Sequence, residues 1–470
     1  MPFLTLCLCA YATLELVQMK QIYVYSVSLG CPKNFVDTEI LTGNLLSANI
    51  GLSETPGDAD VYMINTCAFI PPARAEAESF IRKAVTWKKK KPATRKIAIC
   101  GCLVQWDKKM EVAGKYPEVD LWLGIDKIAN IAKYIRELYE GSSKKPLRSC
   151  SDKPEFIHNE KTPRLQLTPK HYAYIKIADG CDNRCAYCSI PGIRGGLRSR
   201  SSESVLKEAE TLLGNGCKEL IIIAQDTTAF GKDLRKSHEN LHTLLKKLDG
   251  LNGDFWVRLL YTHPAHFSDE LIAVLKNAKH ILPYIDMPLQ HISDRILMSM
   301  GRKVRSEQIK ILLSKLRAEI PGIAIRTTFL VGYPGETEED FKELANFVRT
   351  QKFERLGVFT YYPEPGTPAS VFPDVVPDDV AEKRKDVIMR IQAENSLERN
   401  TMLAGKTVEV LVDKVEKGQA VGRTFMDSPD IDNTVKVKTG RLKISPGDII
   451  NVKIKSCGIY DVEGEIATVN

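Results

Sequence analysis

Residues 180–188 read GCDNRCAYC, which sets Cys181, Cys185 and Cys188 in a C-x3-C-x2-C run with an aromatic residue before the last thiol. A structural zinc ion or a fully ligated iron–sulfur cluster takes four protein ligands, so three thiolates leave one coordination position for something that reacts or for a ligand from elsewhere. The paired halves of common zinc modules are missing from this run. A ferredoxin-like electron carrier would supply a fourth cysteine close by, whereas the next one, Cys217, opens a later strand and is too distant to close the same loop.

A second set lies upstream: Cys31 in SLGCPKN, Cys67 in INTC and Cys102 in CGC each follow a short β-rich run. In open parallel sheets ligands bind beyond the carboxyl ends of strands, so thiols far apart in sequence would converge there. A single such cysteine is more often a buried core residue. Three strand-end placements together favour ligands. Cys100 is a neighbour without an assigned role, and Cys150 is an isolated thiol in a polar segment.

The elements that must position these thiols fall into three regimes. From residue 20 to 140, the runs IYVYSVSLG, DVYMINT and KIAICG alternate with helical patterns near Val36–Ser47 and Ala73–Lys89, an α/β pattern. Residues 141–170 are polar and Pro-containing without apolar periodicity and read as a linker. From 171 to 402, six β-like runs (YAYIKIA, KELIIIAQ, FWVRLLY, YIDMPLQ, IAIRTTFLVG, RLGVFTYY) alternate with amphipathic helices. Six βα units resemble a barrel lacking two units and open on one side, with GCDNRCAYC directly after its first strand, where barrel active sites are built. From 403 to 470, short strands and Gly-containing turns predict a small all-β barrel.

The 470 residues carry 66 basic and 59 acidic side chains, a net charge of +7 that permits a polyanionic partner without requiring one. Residues 403–470 hold ten of each sign, which weighs against an RNA-gripping module. Twelve cysteines fall short of a disulfide scaffold and point to metal chemistry in a reducing compartment, hence the cytoplasm. Residues 1–19 are apolar but lack a basic start and are interrupted by Glu15, so they read as an extension, with Met19 as an alternative start, and no membrane association is expected.

CDNRCAYC after a strand of a partial barrel resembles the radical S-adenosylmethionine (SAM) superfamily. The resemblance implies that Cys181, Cys185 and Cys188 bind a 4Fe-4S cluster whose open iron takes SAM, with Tyr187 near the adenine. It further implies that Cys31, Cys67 and Cys102 match the methylthiotransferase N-terminal domain, which carries an auxiliary 4Fe-4S cluster, and that the last barrel is a TRAM domain. The implied architecture is an N-terminal α/β methylthiotransferase domain, a central partial TIM-like (β/α)6 radical SAM barrel and a C-terminal all-β TRAM barrel. In such enzymes one SAM methylates a sulfur species, a second yields an adenosyl radical that takes hydrogen from the target carbon, and both cysteine sets face one cavity.

Within that family SLGCPKN, IRGGLRSR, AQDTTAFG and MPLQH resemble the branch that methylthiolates the β-carbon of an aspartate in small-subunit ribosomal protein twelve. The branch acting on a modified adenosine of tRNA more often shows YGCQMN-like and GQN-like stretches, and it is the alternative. An electron donor such as flavodoxin or ferredoxin and a sulfur source are the implied partners.

Further candidates stand at strand ends. Gly332, Pro334 and Gly335 in LVGYPGET could let the backbone approach SAM, or could form a plain strand-to-helix turn with Glu336 and Thr337. Gln225 and Asp226, and Gln290 and His291, follow the second and fourth strands, and Gln225 is taken as a SAM contact. Arg194, Arg198 and Arg200 face either SAM, an acidic group or solvent, while WKKKK at 87–91 reads as a solvated helix end.

Overall fold

The computed structural model describes residues 21–140, 146–234, 238–440 and 442–467. The extension read at residues 1–19 lies outside them.

The first sheet is parallel and contains β1 (Tyr23–Ser28), β2 (Gly51–Leu52), β3 (Val61–Thr66), β4 (Lys96–Gly101), β5 (Leu121–Leu123) and β6 (Leu147–Ser149), in the order β2-β1-β3-β4-β5-β6. Every residue of β3, VYMINT, is buried, as expected of a strand covered on both faces. The helices Pro32–Ser47 and Pro71–Lys89 each start on proline, whose fixed φ suits the first helical turn. Because β1, β3 and β4 are neighbours, Cys31, Cys67 and Cys102 leave three adjacent strands at the same edge.

Residues 141–145 of the segment read as a linker lie outside the described residues, and 146–170 are packed on the first two regions. This stretch supplies β6, and Asp126 then fixes its continuation by accepting from Ser151 Oγ (2.8 Å) and from the backbone N–H groups of Glu155 (2.7 Å) and Phe156 (2.6 Å). Arg164 pairs with Glu39 at 2.5 Å and with Glu208. Arg164 thus ties the first region to the second, while Asp152, Lys153, Lys161 and Lys170 remain exposed.

Six further parallel strands form the second sheet: β7 (Tyr172–Lys176), β10 (Glu219–Ile223), β11 (Trp256–Leu259), β12 (Ile281–Asp286), β13 (Ala324–Val331) and β14 (Arg355–Thr360), with β8 (Ala178–Asp179) and β9 (Arg198–Ser199) forming a small ribbon astride the cysteine loop. The order β14-β13-β12-β11-β10-β7 leaves the end strands unpaired with each other, so the barrel is open. Ile175, Ile222, Val257 and Ile285 bury one face against helical leucines such as Leu244, Leu271 and Leu316. Tyr174, Ile221 and Tyr284 bury the other face against Ile40 and Leu41 of the helix Pro32–Ser47 and against Leu411. The first domain therefore caps the inner face.

The last region is a closed barrel of β15 (Thr407–Glu416), β16 (Gln419–Arg423), β17 (Val435–Lys438), β18 (Ile449–Cys457) and β19 (Val462–Ile466). A few of its charged side chains face the central sheet: Asp427 binds Arg355 Nε at 2.7 Å, Asp432 accepts from Tyr284 Oη (3.1 Å) and Arg326 Nε (3.2 Å), and Arg423 reaches Glu219 at 2.8 Å. Among the described residues, no helix is long and apolar enough to cross a membrane.

Candidate functional site

Gly30, directly before Cys31, has φ +86°, and a Cβ there would stand 2.5 Å from Cys67 Cβ and 2.9 Å from Cys67 Sγ. Only glycine permits that hand and that approach, so the turn brings two thiol-bearing chain segments together. Asn34 ties the turn to its neighbour strand by donating Nδ2 to Leu29 O at 2.7 Å and accepting at its own carbonyl from Asn65 Nδ2 at 2.8 Å. Burial raises the Cys67 thiol, and the Cys31 charge adds to this; burial pushes Cys102 up to about 12, partly offset by Arg194. Such thiols are poor nucleophiles at neutral pH, and it takes a bound cation to hold them as thiolates. Three thiols close enough to raise one another's pKa fit a metal cluster by donor chemistry.

The second set repeats the device. Gly180 (φ +76°) precedes Cys181, and a Cβ on it would meet Gly196 O at 2.0 Å. The loop is then pinned by Cys181 N–H to Gly195 O (3.1 Å), Ala186 N–H to Met300 O (2.9 Å) and Asn183 Nδ2 to Asp226 Oδ2 (2.7 Å). Burial pushes Cys181 up to about 11 and Cys188 to about 12. Arg302 Nη1 lies 3.8 Å from Cys185 Sγ, and Tyr187 packs beside Met300, Tyr333 and Tyr361. This set fits a cluster on the same grounds.

Of the three arginines in IRGGLRSR, none is a solvated loop residue. Arg200 is buried against Glu208, Ser204 and His158 Nε2 (3.1 Å), and Arg198 holds its own loop through the carbonyls of Arg194 and Gly196. Arg194, 2 % exposed, reaches across to the first set: Nη2 is 3.2 Å from Cys102 Sγ, while Nη1 is 2.8 Å from Asp37 and 3.0 Å from Asp179. Burial works to raise Asp179, but Arg194 and Lys176 outweigh it and hold the carboxyl well below its usual range.

Gln225 donates Nε2 to Asp179 Oδ1 at 2.8 Å, and its buried Oε1 has no partner among the described residues. Asp226, His263 and His266 bring their ligand atoms within 4.8 Å of one another. Thr228 Oγ1, His266 Nδ1 and Asn183 Nδ2 already occupy both Asp226 oxygens, so the group reads as an anchor for the cysteine loop. Burial would raise Asp226, yet His266 brings it down to about 2. Gly332 has φ +73°, its N–H meets Glu336, and a Cβ there would lie 2.4 Å from Ala381 Cβ, so helix packing accounts for it; Gly335 (φ +79°) is bonded to Asp374 O at 2.8 Å. His291 and Gln290 are likewise structural, the first paired with Glu336 at 3.3 Å and the second bridging to Thr328 and Leu330.

The remaining thiols stand apart in role. Cys100 lies in the apolar core with its pKa raised by burial, Cys217 caps Glu219 O at 3.2 Å, and Cys150 faces Gln105 at 3.1 Å. Trp87 of WKKKK is buried and Lys88 pairs with Asp120 at 2.7 Å, whereas Lys90 and Lys91 are exposed. A depression of about 580 Å³, lined by Gly214, Cys217, Lys218 and Phe255, opens at the amino ends of β10 and β11, at the opposite end of the strands from the cysteine loop. The sequence reading missed Lys33, Asp179, Tyr261 and Arg302; only Asp179, next to the GC pair, had a positional signal.

An open parallel barrel with a three-cysteine loop after its first strand, preceded by a second three-cysteine domain, defines a radical SAM enzyme of the methylthiotransferase type. Family descriptions agree: "Radical SAM superfamily" matches residues 175–348, "Uncharacterized protein family UPF0004" residues 23–124, and "TRAM domain" residues 404–467. The chain is 42% identical over 451 residues (95% of this chain, 99% of the relative) to the ribosomal protein uS12 methylthiotransferase RimO of Syntrophus aciditrophicus. It is 45% identical over 443 residues (94% and 98%) to that of Carboxydothermus hydrogenoformans. The chain belongs to the RimO family. Among solved structures, the radical SAM methyltransferase TsrM of Kitasatospora setae shares the fold, with TM-score 0.55 and 13% identity over 84% of this chain and 79% of that one.

Proposed function

We propose that this enzyme methylthiolates the β-carbon of an aspartate in ribosomal protein uS12, with Cys181, Cys185 and Cys188 holding one 4Fe-4S cluster and Cys31, Cys67 and Cys102 a second. The observation that supports this reading is Arg194, whose guanidinium contacts both Cys102 Sγ and Asp179, two residues before Cys181, and so ties the first thiol set to the segment leading into the second. When bound, the barrel cluster supplies the electron that cleaves SAM and the other supplies sulfur. This chain's residues do the rest. Gln225, with a spare buried Oε1, and Tyr187 are assigned to SAM; Gly332 and Gly335 form the adjoining backbone turn; Arg302 offers positive charge beside Cys185. The helix Pro32–Ser47 packs on the inner face of the second sheet and so carries Cys31 to that face.

The test is mass spectrometry of uS12 from a strain deleted for its own enzyme and complemented with this chain. One methylthio group on a uS12 aspartate supports the reading. Unmodified uS12 together with methylthiolated tRNA nucleosides in the same strain overturns it in favour of a tRNA substrate.

A further inference from the structure

Lys33 lies two residues after Cys31, in the first turn of the helix Pro32–Ser47, and its ammonium extends to the carboxyl ends of the second sheet. Nζ stands 3.2 Å from the centre of the Tyr261 ring. Among the described residues no carboxylate pairs with it and no acceptor binds it. Burial works to lower the Lys33 ammonium below its ordinary value, opposed by Cys31, Asp286 and Asp179 and reinforced by Arg194.

Both carboxylates hold other partners. Asp286 accepts at Oδ1 from Arg326 Nη1 (3.0 Å) and at Oδ2 from the Tyr261 N–H (3.0 Å). Asp179 accepts at Oδ2 from Lys176 (3.0 Å) and Arg194 (3.0 Å), and at Oδ1 from the Gly180 N–H (2.9 Å) and Gln225 Nε2 (2.8 Å). The ring that carries Lys33 is itself held under strain: Tyr261 has φ +59°, a left-handed conformation that is costly for a bulky residue. Its carbonyl is fixed by the Thr227 N–H at 3.0 Å. A partly buried ammonium propped on an aromatic face, with no carboxylate of the described residues bound to it, has donors left for a carboxylate from outside the chain.

We propose that Lys33 receives the side-chain carboxylate of the acceptor aspartate, holding it over Tyr261 so that the β-carbon faces the space between the two cysteine sets. This rests on the uS12 reading above. SAM also carries a carboxylate, and the experiment separates the two sources.

The measurement is a binding cycle on the reconstituted holoenzyme, with wild type and Lys33→Met against uS12 and against uS12 whose acceptor aspartate is changed to asparagine, alongside iron content and SAM affinity. A charge-assisted pair of this kind is worth roughly tenfold to a hundredfold in affinity. Lys33→Met is expected to hold iron and SAM as wild type does and to bind uS12 that much more weakly. The asparagine substitution should cost wild type the same factor and cost Lys33→Met nothing. Equal uS12 binding by both enzymes, a retained aspartate preference in Lys33→Met, or a loss confined to SAM affinity would each overturn the proposal.

If Lys33→Met loses iron or does not fold, the wild-type complex decides. Zero-length carbodiimide coupling should yield an amide between Lys33 Nζ and the acceptor carboxylate, identified by peptide mapping. Crosslinks elsewhere in the complex without this one overturn the assignment. A wild-type enzyme that leaves uS12 unmodified refutes the functional reading itself, whereas modification insensitive to Lys33 refutes only this inference.

Discussion

Arg194 Nη2 stands 3.2 Å from Cys102 Sγ, although the two residues belong to different domains and are separated by 92 positions. The short helix Ile190–Arg194 follows the second cysteine loop directly, so the residue that completes the first thiol set is delivered by the second. Asp37, Asp179 and Lys176 close the group, with Lys176 Nζ 2.5 Å from Asp37 and 3.0 Å from Asp179. The two cysteine sets are thus mechanically coupled through buried charge.

Replacing Arg194 by Met should leave two buried carboxylates with only Lys176 for compensation, at a cost of about 3–5 kcal/mol in urea denaturation. Arg194→Lys keeps the charge but cannot span Cys102 and both aspartates, and should fall between. A loss under about 1 kcal/mol for Arg194→Met would mean that the group does not unite the domains.

Gly30→Ala places a methyl group 2.9 Å from Cys67 Sγ on a backbone with φ +86°. Strain of about 1–3 kcal/mol and displacement of the Cys67 thiol are expected. Iron analysis should show the loss of about one cluster, four irons, while the C-x3-C-x2-C site stays loaded.

His158 is 2 % exposed and is kept neutral by burial first and then by the cations Arg200, Lys176 and Arg164; His263 is lowered to about 3 by burial and Arg302. Both take up protons in the unfolded chain near pH 6.5 but not in the fold, so their stabilising effect is complete above that pH and is lost as pH falls toward 3. By pH 5 each costs up to about 2 kcal/mol. Melting temperature measured from pH 7.5 to 5 should fall, and His158→Asn should flatten that slope; an unchanged slope would contradict the burial of a neutral imidazole.

Arg423 joins the last barrel to the central sheet through Glu219 (2.8 Å), which also binds Arg258 at 2.6 Å. Arg423→Ala should expose the docking surface and lower stability by about 3–5 kcal/mol. Limited proteolysis between residues 400 and 410 is the readout. Wild-type resistance there would show that the apolar contacts of Leu411 suffice.

Much of this was legible because ligand chemistry and strand periodicity are local. The six strands of the second sheet, the five of the last barrel and the strand-end cysteines all follow from short runs. What was hidden depends on distant partners. Residues 147–149 form a strand only because β5 offers an edge, and Arg194 and Arg200 are buried only because Asp37, Asp179 and Glu208 await them. Composition likewise counted the acids of the last barrel without showing that Asp427 and Asp432 face inward. Lys33 gave no signal at all, since its significance lies in what its neighbours have already spent.

The central claim is that two separate three-cysteine sites each hold a four-iron cluster. Iron and acid-labile sulfide per chain, after anaerobic reconstitution, test it in wild type, in Cys181→Ala/Cys185→Ala/Cys188→Ala and in Cys31→Ala/Cys67→Ala/Cys102→Ala. The account predicts about eight irons falling to about four in either triple variant. About four irons in wild type, falling to none in the first variant and unchanged in the second, would contradict it.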